Sequence, residues 1–416
     1  MEGSSMAEEQ VKIYRYRWVV LIAFMLINIM VQVLWICYAP IASFAAAAYG
    51  VNREKIDLLA NLFMLIYLPI SFFASWAIDS FGFKKAVGFG ASLMGGFALL
   101  RAAFPTSYPA ALIGTIGISI GQPFLLNAFT KLAFLWFPQK QRATITGVIF
   151  LALFAGIGIG ETVSPILYAT SGFSGMQLIY AGATAISVVF FLIFARSNPP
   201  TPASPEGAAA RALVLDGLKH ILKNRDVYLL ALALFLGSGI VNGVFTLIDG
   251  IGKEKSFSVD QGVILTGILL IGGIIGSIVI PGISDSLRKR KLLIIIGIFI
   301  AVPATLGLAL GKNYIFEIIC FFVIGFCFTG LTPLAYQYGA EITHPAPEGT
   351  SNGIFALVVQ ASGFLILFMD GSKSFFNGSY MPSLIGFSLL IFISGILLFL
   401  IKESPEMQRR KLGHIE

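Results

Sequence analysis

Twelve long apolar segments recur along the whole chain, and they constrain its fold more than any other feature. A bilayer core is about 30 Å thick, so a crossing helix needs about 20 apolar residues. Only helices or a closed barrel satisfy their backbone groups in hydrocarbon, and these runs are too continuous for barrel strands. The sequence predicts an all-α membrane protein with twelve transmembrane helices, at 17–44, 56–78, 86–104, 108–136, 144–169, 175–195, 227–248, 261–283, 292–311, 314–340, 351–371 and 380–401.

Charged and metal-binding residue types are scarce. Only 12% of the residues are charged, against about a quarter in soluble domains, which excludes both a soluble globule and a disordered chain. Three scattered cysteines and three histidines give no disulfide framework and no metal-ligand spacing. We also find no catalytic set, and the glycine runs lack the lysine of a phosphate loop. The sequence therefore predicts neither an enzyme nor a bound cofactor.

The positive charges report the topology. Most lysines and arginines lie at the two termini and in the loops after every second span, which predicts that both termini face the cytoplasm of a cell-membrane protein. The first apolar run is too long for a signal peptide and reads as a retained helix. The net charge of +7 then reflects membrane orientation, and a nucleic-acid partner is not expected.

A polar stretch at 196–226 divides the chain into two halves of six spans, 1–195 and 227–416. The stretch begins with a proline-rich segment that cannot continue a helix. After it, 208–224 can form a basic amphipathic helix on the inner membrane surface. The sequence thus predicts two membrane domains joined by a cytoplasmic linker.

Landmarks at a fixed spacing indicate that the halves are repeats. Asp79 follows the second span and Asp285 follows the eighth, 206 residues later; Gly147 and Gly353, at the starts of the fifth and eleventh spans, have the same spacing. Two independent landmarks at one offset predict halves of similar topology, related by an axis along the membrane normal.

The loop after the second span carries Asp79, Gly82, Lys84 and Lys85. This pattern resembles the loop signature of the major facilitator superfamily, with Ser75 where that family has its leading glycine. The resemblance implies the major facilitator fold, with Asp79 and Gly82 at an inner gate and topogenic roles for the lysines. We assign the same gate to Asp285, Lys131 and Glu341, although Lys131 can equally cap a helix end or attract an anion.

Further segments resemble the feline leukaemia virus subgroup C receptor family, a group of facilitator-type carriers associated with choline and haem. The similar segments are Arg17-Trp-Val-Val, Leu34-Trp-Ile-Cys-Tyr, Gln122 with Lys131 and Trp136-Phe137, Ala340-Glu-Ile-Thr-His-Pro, Glu348-Gly-Thr-Ser-Asn-Gly and Gln360-Ala-Ser-Gly. That family's substrate cage has a tryptophan, two glutamines and a tyrosine. The resemblance places Trp35, Gln122 and Gln360 at three of these positions; the tyrosine has no match, and Phe245 and Thr246 are the nearest residues.

Polar side chains inside membrane spans are costly and mark candidate sites. Asn28, Gln32 and Trp35 share one face of the first helix, and Asn242, Thr246 and Asp249 repeat this spacing in the seventh. Isolated polar residues more often join packed helices, but two matching stripes favour a substrate cavity between the halves. Trp35 can hold a cation on its ring or serve as an interfacial anchor.

Two carboxylates are candidates for coupling. Glu161 lies deep in the fifth span and Asp249 lies near the end of the seventh. Because a carboxylate in hydrocarbon is costly to ionise, either one can couple proton binding to transport, or pair with a substrate cation. Exposure in an outer vestibule is the alternative for Asp249, and a salt bridge is the alternative for Glu161.

These observations predict a monomeric secondary active transporter that moves a small organic solute by alternating access. The resemblance and Trp35 favour an organic cation of the choline type. The alternative is a proton-coupled carrier of another metabolite, such as an organic anion, haem or a drug-like compound. A receptor that does not transport is less favoured, because 416 residues leave no room for a signalling domain beside twelve spans.

Overall fold

The described chain is built from helices, without strands. The computed structural model describes residues 14–137, 139–200, 221, 223–287, 289–343 and 348–403. The helices of the first half are α1 Arg17–Ile36, α2 Ala42–Tyr49, α3 Arg53–Phe81, α4 Phe83–Ala103, α5 Tyr108–Leu126, α6 Phe129–Trp136 and α7 Gln139–Phe194. Those of the second half are α8 Arg225–Glu254, α9 Val259–Leu287, α10 Arg290–Leu310, α11 Tyr314–Ile324, α12 Gly330–Ile342, α13 Glu348–Ala361, α14 Gly363–Ser372 and α15 Met381–Leu397.

Short irregular turns join several of these helices within one pass. Ala39–Ile41 is a 3₁₀ turn between α1 and α2, and Gly325–Thr329 is a π-helical turn between α11 and α12. Two more 3₁₀ turns, Lys373–Phe375 and Leu398–Leu400, follow α14 and α15. A pass through the bundle is therefore often made of two helical pieces, as proline and glycine inside spans favour.

Eleven described segments are long and apolar enough to cross a membrane, where the sequence predicts twelve. The difference lies in Val148–Phe194, which has 47 residues and covers most of both predicted spans 144–169 and 175–195. Gly172 breaks this stretch with a φ of 70°, a value that favours glycine. Ser164 and Tyr180, eight residues on either side, hydrogen-bond through their hydroxyls at 2.9 Å. The stretch thus folds back on itself at Gly172.

Polar residues begin several helices where the sequence leaves its apolar runs. Asn52 accepts a hydrogen bond from the Lys55 amide, Asn224 from the Asp226 amide, and Asn313 from two amides of α11. Such caps satisfy the free amides of a helix start. The outer faces of the bundle are apolar, with Phe72, Ile186 and Ile278 among the exposed side chains. The chain is a multi-pass membrane protein.

We call the end of the bundle at which α1 and α8 begin the near end, and the opposite end, at which α3 begins and α8 ends, the far end. Residues 201–220 and 222 lie outside the described residues, so most of the predicted linker helix at 208–224 is outside them too. The predicted division of the chain at 196–226 stays a prediction.

Glycines bring helix backbones into direct contact. A Cβ at Gly121 of α5 would lie 2.5 Å from the carbonyl oxygen of Gly90 in α4, and both atoms belong to rigid backbone. Close approach of this kind is the packing that small residues permit in membranes. The crossing of α4 and α5 therefore depends on glycine at this position.

Replacing Gly121 by alanine is expected to lower stability by about 2 kcal/mol, because the added methyl group forces the two backbones apart. Thermal unfolding in detergent measures the change. Gly96→Ala, also in α4, is the matched control, since a Cβ at Gly96 meets nothing within 4 Å. Equal melting temperatures for the two variants would contradict the proposed close contact.

Candidate functional site

The polar stripe of α1 is buried inside the bundle. Asn28, Gln32 and Trp35 are all buried. The Trp35 indole N–H donates to the carbonyl of Ala60 in α3 at 3.1 Å, and the Asn28 amide donates to Phe24 at 2.8 Å. The amide oxygens of Asn28 and Gln32 accept no hydrogen bond. The stripe therefore contains hydrogen-bond acceptors that no described residue satisfies. A missing hydrogen bond is costly for a buried group.

Helix α7 packs against this stripe through glycines. A Cβ at Gly156 would meet Gln32, and one at Gly160 would meet Ile36 of α1. A Cβ at Gly158, on another face, would meet Leu270 of α9 in the second half. The first arm of α7 thus lies between α1 and the second half.

Other predicted substrate residues also lie inside the bundle. Gln122 of α5 and Thr246 of α8 are buried, and their side-chain oxygens have no hydrogen-bond partner. Asn242 is partly buried and donates to the Ser362 hydroxyl at 3.4 Å, and Gln360 of α13 is partly buried. Unsatisfied polar atoms thus occur on helices of both halves, as a cavity between the halves requires.

The Trp35 ring makes no aromatic or cation contact with the described residues. No other ring among them stacks on it and no cation among them lies over it. Its indole N–H is held by Ala60, which fixes the plane of the ring. A ring oriented in this way can bind a cation on its face, a contact worth up to about 2 kcal/mol when water is excluded.

Glu161 is the most isolated carboxylate of the described chain. It is 2% exposed, and neither carboxylate oxygen has a hydrogen-bond partner. The structure gives it no ion pair either. The salt bridge considered as an alternative for this residue is therefore absent from the described structure.

Asp249 lies in an ion-pair cluster at the far end. Arg53 of α3 pairs with Asp249 across the two halves and with Asp57 of its own helix, at 3.2 Å. The hydroxyl of Ser43 in α2 donates to the same Asp249 oxygen at 2.5 Å, and Lys253 approaches that oxygen to 3.6 Å. The side chain of Asp249 is 3% exposed, so it does not lie open in a vestibule. Its coupling role stays a prediction.

Ser43 and Asp249 are 206 residues apart, the spacing that separates the repeat landmarks Asp79 and Asp285. Equivalent positions of two repeats can touch only where the axis relating the repeats passes between them. The contact therefore places the far-end cluster on the axis of the bundle, where the two halves meet.

A second polar cluster lies beside the first at the far end. Lys373 pairs with Asp370 at 2.6 Å, and the Tyr380 hydroxyl donates to the same carboxylate at 3.2 Å. Glu254 accepts hydrogen bonds from the Tyr380 amide, at 2.8 Å, and from the Ser379 hydroxyl. Burial raises the pKa of Tyr380 to about 12, so its hydroxyl remains a donor at neutral pH. This cluster ties the end of α8 to the connection between α14 and α15.

The predicted gate residues lie at the near end. Gly82 joins α3 to α4 with a φ of 84°, and Asp79 and Asp285 lie near the ends of α3 and α9, but their side chains lie outside the described residues. Lys131 is partly buried on α6 and has an interaction partner. Glu341 pairs with Arg290 of its own half at 2.8 Å. Their gate roles stay predictions.

Sequence reasoning missed the residues of the far-end clusters other than Asp249. Arg53 lies in a predicted loop and Asp57 at the start of the predicted second span. Asp370 and Lys373 lie at the end of a span. The repeat spacing of 206 residues was a usable signal, because it pairs Ser43 with Asp249. Nothing in the sequence pairs Arg53 with Asp249.

Arg101 is a further buried charge that the sequence did not single out. Its guanidinium donates to the Leu34 carbonyl at 3.4 Å and lies 4.6 Å from the centre of the Tyr38 ring. It also contacts the Cys37 thiol at 3.6 Å. These three partners flank the break between α1 and α2, so Arg101 ties α4 to the segment that carries the far-end cluster.

The sequence profile of the Major Facilitator Superfamily matches residues 24–367, most of both halves. The chain belongs to the Major Facilitator Superfamily. The expected fold is thereby confirmed, and the two matching polar stripes and the repeat contact are features of one transporter bundle.

Curated relatives carry transporter names. The human choline/ethanolamine transporter FLVCR2 is 27% identical over 385 residues, covering 87% of this chain and 72% of that protein. Feline choline/ethanolamine transporter FLVCR1 is 27% identical over 423 residues, covering 95% and 74%. An uncharacterized MFS-type transporter of Caenorhabditis elegans, C09D4.1, is 27% identical over 429 residues, covering 96% and 71%. The resemblance to this family of carriers, inferred from motifs, is confirmed.

Solved superfamily structures have the same fold. A bacterial homologue of the human lysosomal transporter Spinster, in an inward-facing and unoccupied conformation, superimposes with a TM-score of 0.74 at 14% identity, covering 97% of this chain and 99% of that one. A D-xylose-proton symporter gives 0.73 at 16% identity, covering 94% and 99%. These structures show the same fold. The family and the curated relatives, not the fold alone, make this chain a membrane transporter for a small molecule and not an enzyme.

Proposed function

We propose that this transporter moves a small organic cation of the choline or ethanolamine type by alternating access. The observation that carries the proposal is the set of buried, unsatisfied oxygens of Gln32, Gln122 and Thr246, on helices of both halves, together with the free ring of Trp35. A quaternary ammonium group has no N–H to donate, so an aromatic face is the partner that suits it. The amide groups suit the hydroxyl group of such a substrate.

The relatives support this substrate class. Two of them are named choline/ethanolamine transporters and are similar along most of this chain. The position of the family's cage tyrosine is the one departure, with Phe245 and Thr246 nearest to it. Phe245 supplies a ring without a hydroxyl, so we expect the cation site to be kept and the hydroxyl contacts to be altered.

The far-end cluster is the proposed outer gate. With the termini in the cytoplasm, as the distribution of lysine and arginine indicates, the far end is extracellular. The ion pair between Arg53 and Asp249 joins the halves there. Rocking of the halves about a central site requires this pair to break when the site opens outward.

Counterflow in proteoliposomes tests the substrate. Vesicles loaded with unlabelled choline or ethanolamine are expected to accumulate external radiolabelled choline at least tenfold faster than vesicles without protein. Protein-free vesicles and protein-containing vesicles loaded with betaine, a zwitterion of similar size, are the controls. Uptake at the control rate from both cation-loaded vesicles would refute the proposed substrate class.

The second candidate is proton-coupled transport of another metabolite, such as an organic anion. The buried and unpartnered carboxylate of Glu161 favours it, because such a group can bind a proton and release it when water reaches it. This candidate predicts that an inward proton gradient drives uptake of a solute that is not a cation, and that Glu161→Gln abolishes the drive. Choline counterflow without such uptake would exclude it.

A further inference from the structure

Glu161 is a carboxylate inside a membrane protein that has no counter-ion among the described residues. Both of its oxygens lack a hydrogen-bond partner, and the side chain is buried. An ionised carboxylate in such surroundings is strongly unfavourable, so the group must be neutralised by a bound proton or by a bound cation. The described residues supply no cation to it.

Helix geometry directs Glu161 toward the interface of the two halves. Successive residues of a helix are rotated by about 100°. Gly156 and Gly160 face α1, whereas Gly158 meets Leu270 and so faces α9. Around the helix axis, the direction of Gly158 is about 160° from that of Gly160. Glu161 lies between these two directions. Ile159 and Thr162, on the other side of the helix, are exposed. The carboxylate therefore faces the space between α1 and α9 and not the lipid.

The same glycine contacts give the position of Glu161 along the bundle axis relative to the polar stripe of α1. Gly156 abuts Gln32, and Glu161 lies five residues, about 7–8 Å, further along the axis. Gly160, its neighbour, abuts Val33 and Ile36. Trp35 lies between these two residues in the chain, so Trp35 and Glu161 lie at similar depth. A cation on the Trp35 ring is thus at the level of the carboxylate.

Other titratable groups on the packed helices are already engaged or lie near helix ends. The Cys37 thiol donates to Leu34 at 3.7 Å, and the Tyr180 hydroxyl bonds to Ser164. None of the charged groups on these helices forms an ion pair with Glu161 among the described residues. These groups are Arg17, Lys84, Lys85, Arg101, Lys131 and Asp260, with Asp285 outside the described side chains.

We propose that Glu161 binds a proton and the substrate cation in turn, so that the transporter exchanges one proton for one organic cation. This inference rests on the proposed function, because it requires a cationic substrate. A protonated Glu161 carries no charge to attract the cation, and a bound cation favours release of the proton. For a monovalent cation the exchange moves no net charge across the membrane.

Proton release is the direct test. Purified protein in weak buffer with a pH-sensitive dye is titrated with choline and, separately, with ethanolamine. The wild-type protein is expected to release one proton for each cation bound, and its apparent affinity is expected to fall about tenfold for each pH unit below the titration midpoint of the site. Glu161→Gln is expected to release no proton and to bind the cation at least tenfold more weakly, without pH dependence.

A matched control distinguishes a specific role of Glu161 in proton release from the general effect of removing a carboxylate. Glu54→Gln removes an exposed carboxylate at the far end, which accepts a hydrogen bond from Asn52, and is expected to keep proton release and affinity at wild-type values. In proteoliposomes an acidic interior is expected to speed choline uptake by wild-type protein, and a membrane potential is expected to leave it unchanged. The gradient response is expected to disappear in Glu161→Gln.

The outcomes separate the inference from the proposed function. If wild-type protein shows no choline or ethanolamine counterflow, the proposed function fails. If counterflow is intact but binding releases no proton, or if an acidic interior slows uptake, the exchange is overturned. Thermal unfolding checks Glu161→Gln for folding. If that variant does not fold, Glu161→Asp is measured in its place. It keeps a carboxylate, so it is expected to release a proton on cation binding with a shifted pH midpoint. If neither the folded Glu161→Asp variant nor the wild-type protein releases a proton, the exchange is overturned.

Discussion

Replacing Asp249 by asparagine is expected to open the far end of the transporter. The substitution removes the carboxylate that Arg53 meets across the halves and leaves the partly buried guanidinium with Asp57 and the Ser43 hydroxyl. Breaking one partner of a buried pair costs about 3–5 kcal/mol in soluble proteins. In the proposed outer gate the pair forms only while the far end is closed, so most of that loss is expected to fall on the closed state and to shift the population to the open one.

Cysteine labelling measures this opening. Ser43→Cys places a thiol in the cluster, and the native cysteines are all buried. In proteoliposomes, a membrane-impermeant maleimide is expected to label Cys at this position at least tenfold faster when Asp249→Asn is also present. Counterflow of choline is expected to fall in the same variant, because a transporter held open on one side cannot cycle.

Lys253→Met is the matched control for the gate. Lys253 also approaches Asp249, but from one turn further along the same helix, and it is 55% exposed. It contributes little, as exposed pairs within one helix do, so labelling is expected to change less than twofold. Equal labelling rates for Asp249→Asn and Lys253→Met would contradict a gate at the pair between Arg53 and Asp249.

Replacing Trp35 by leucine is expected to raise the Kd for choline about 30-fold. A desolvated cation–aromatic contact is worth about 2 kcal/mol, and 1.4 kcal/mol is a factor of ten. Trp35→Phe keeps a smaller ring but loses the hydrogen bond to Ala60, so a loss of about three- to tenfold is expected. Equilibrium binding of radiolabelled choline to purified protein measures both changes.

Trp76→Leu is the matched control for the ring. Trp76 lies on the outer face of α3 and is 61% exposed, so its loss is expected to leave the Kd for choline unchanged. If Trp35→Leu and Trp35→Phe weakened binding equally, the ring face would not be what recognises the cation.

The two clusters and the central residues form a consistent arrangement. The pair between Arg53 and Asp249 joins the two halves at the far end. Glu161 and Trp35 lie deeper. In the proposed mechanism the pair is the outer gate, and a cation bound at Glu161 is held behind it until the pair breaks.

Much of the fold could be predicted from the chain alone. The length of the apolar runs determined that they are helices, because a bilayer leaves no other open arrangement for a continuous apolar segment. The stripe of Asn28, Gln32 and Trp35 was predicted to line a substrate cavity because polar residues at i, i+4 and i+7 share one helix face. All three are buried, and their role in binding stays a prediction. The double crossing at Gly172 is also consistent with the two predicted spans.

The partners of the charges could not be predicted. Asp249 pairs with Arg53, 196 residues earlier, and its coupling role stays a prediction. Glu341, predicted at the inner gate, pairs with Arg290 of its own half, and its gate role also stays a prediction. Pairing depends on which helix ends meet in space, and a single sequence carries no record of that.

The sequence by itself determined the membrane-spanning helices, the repeat and the polar residues that hydrocarbon makes costly, because each follows from local composition and spacing. Only the tertiary structure decided which of those residues are neutralised by the chain. Among the described residues it paired Asp249 and left Glu161 without a partner, since an ion pair needs two side chains within about 4 Å and that distance is set by how the helices pack.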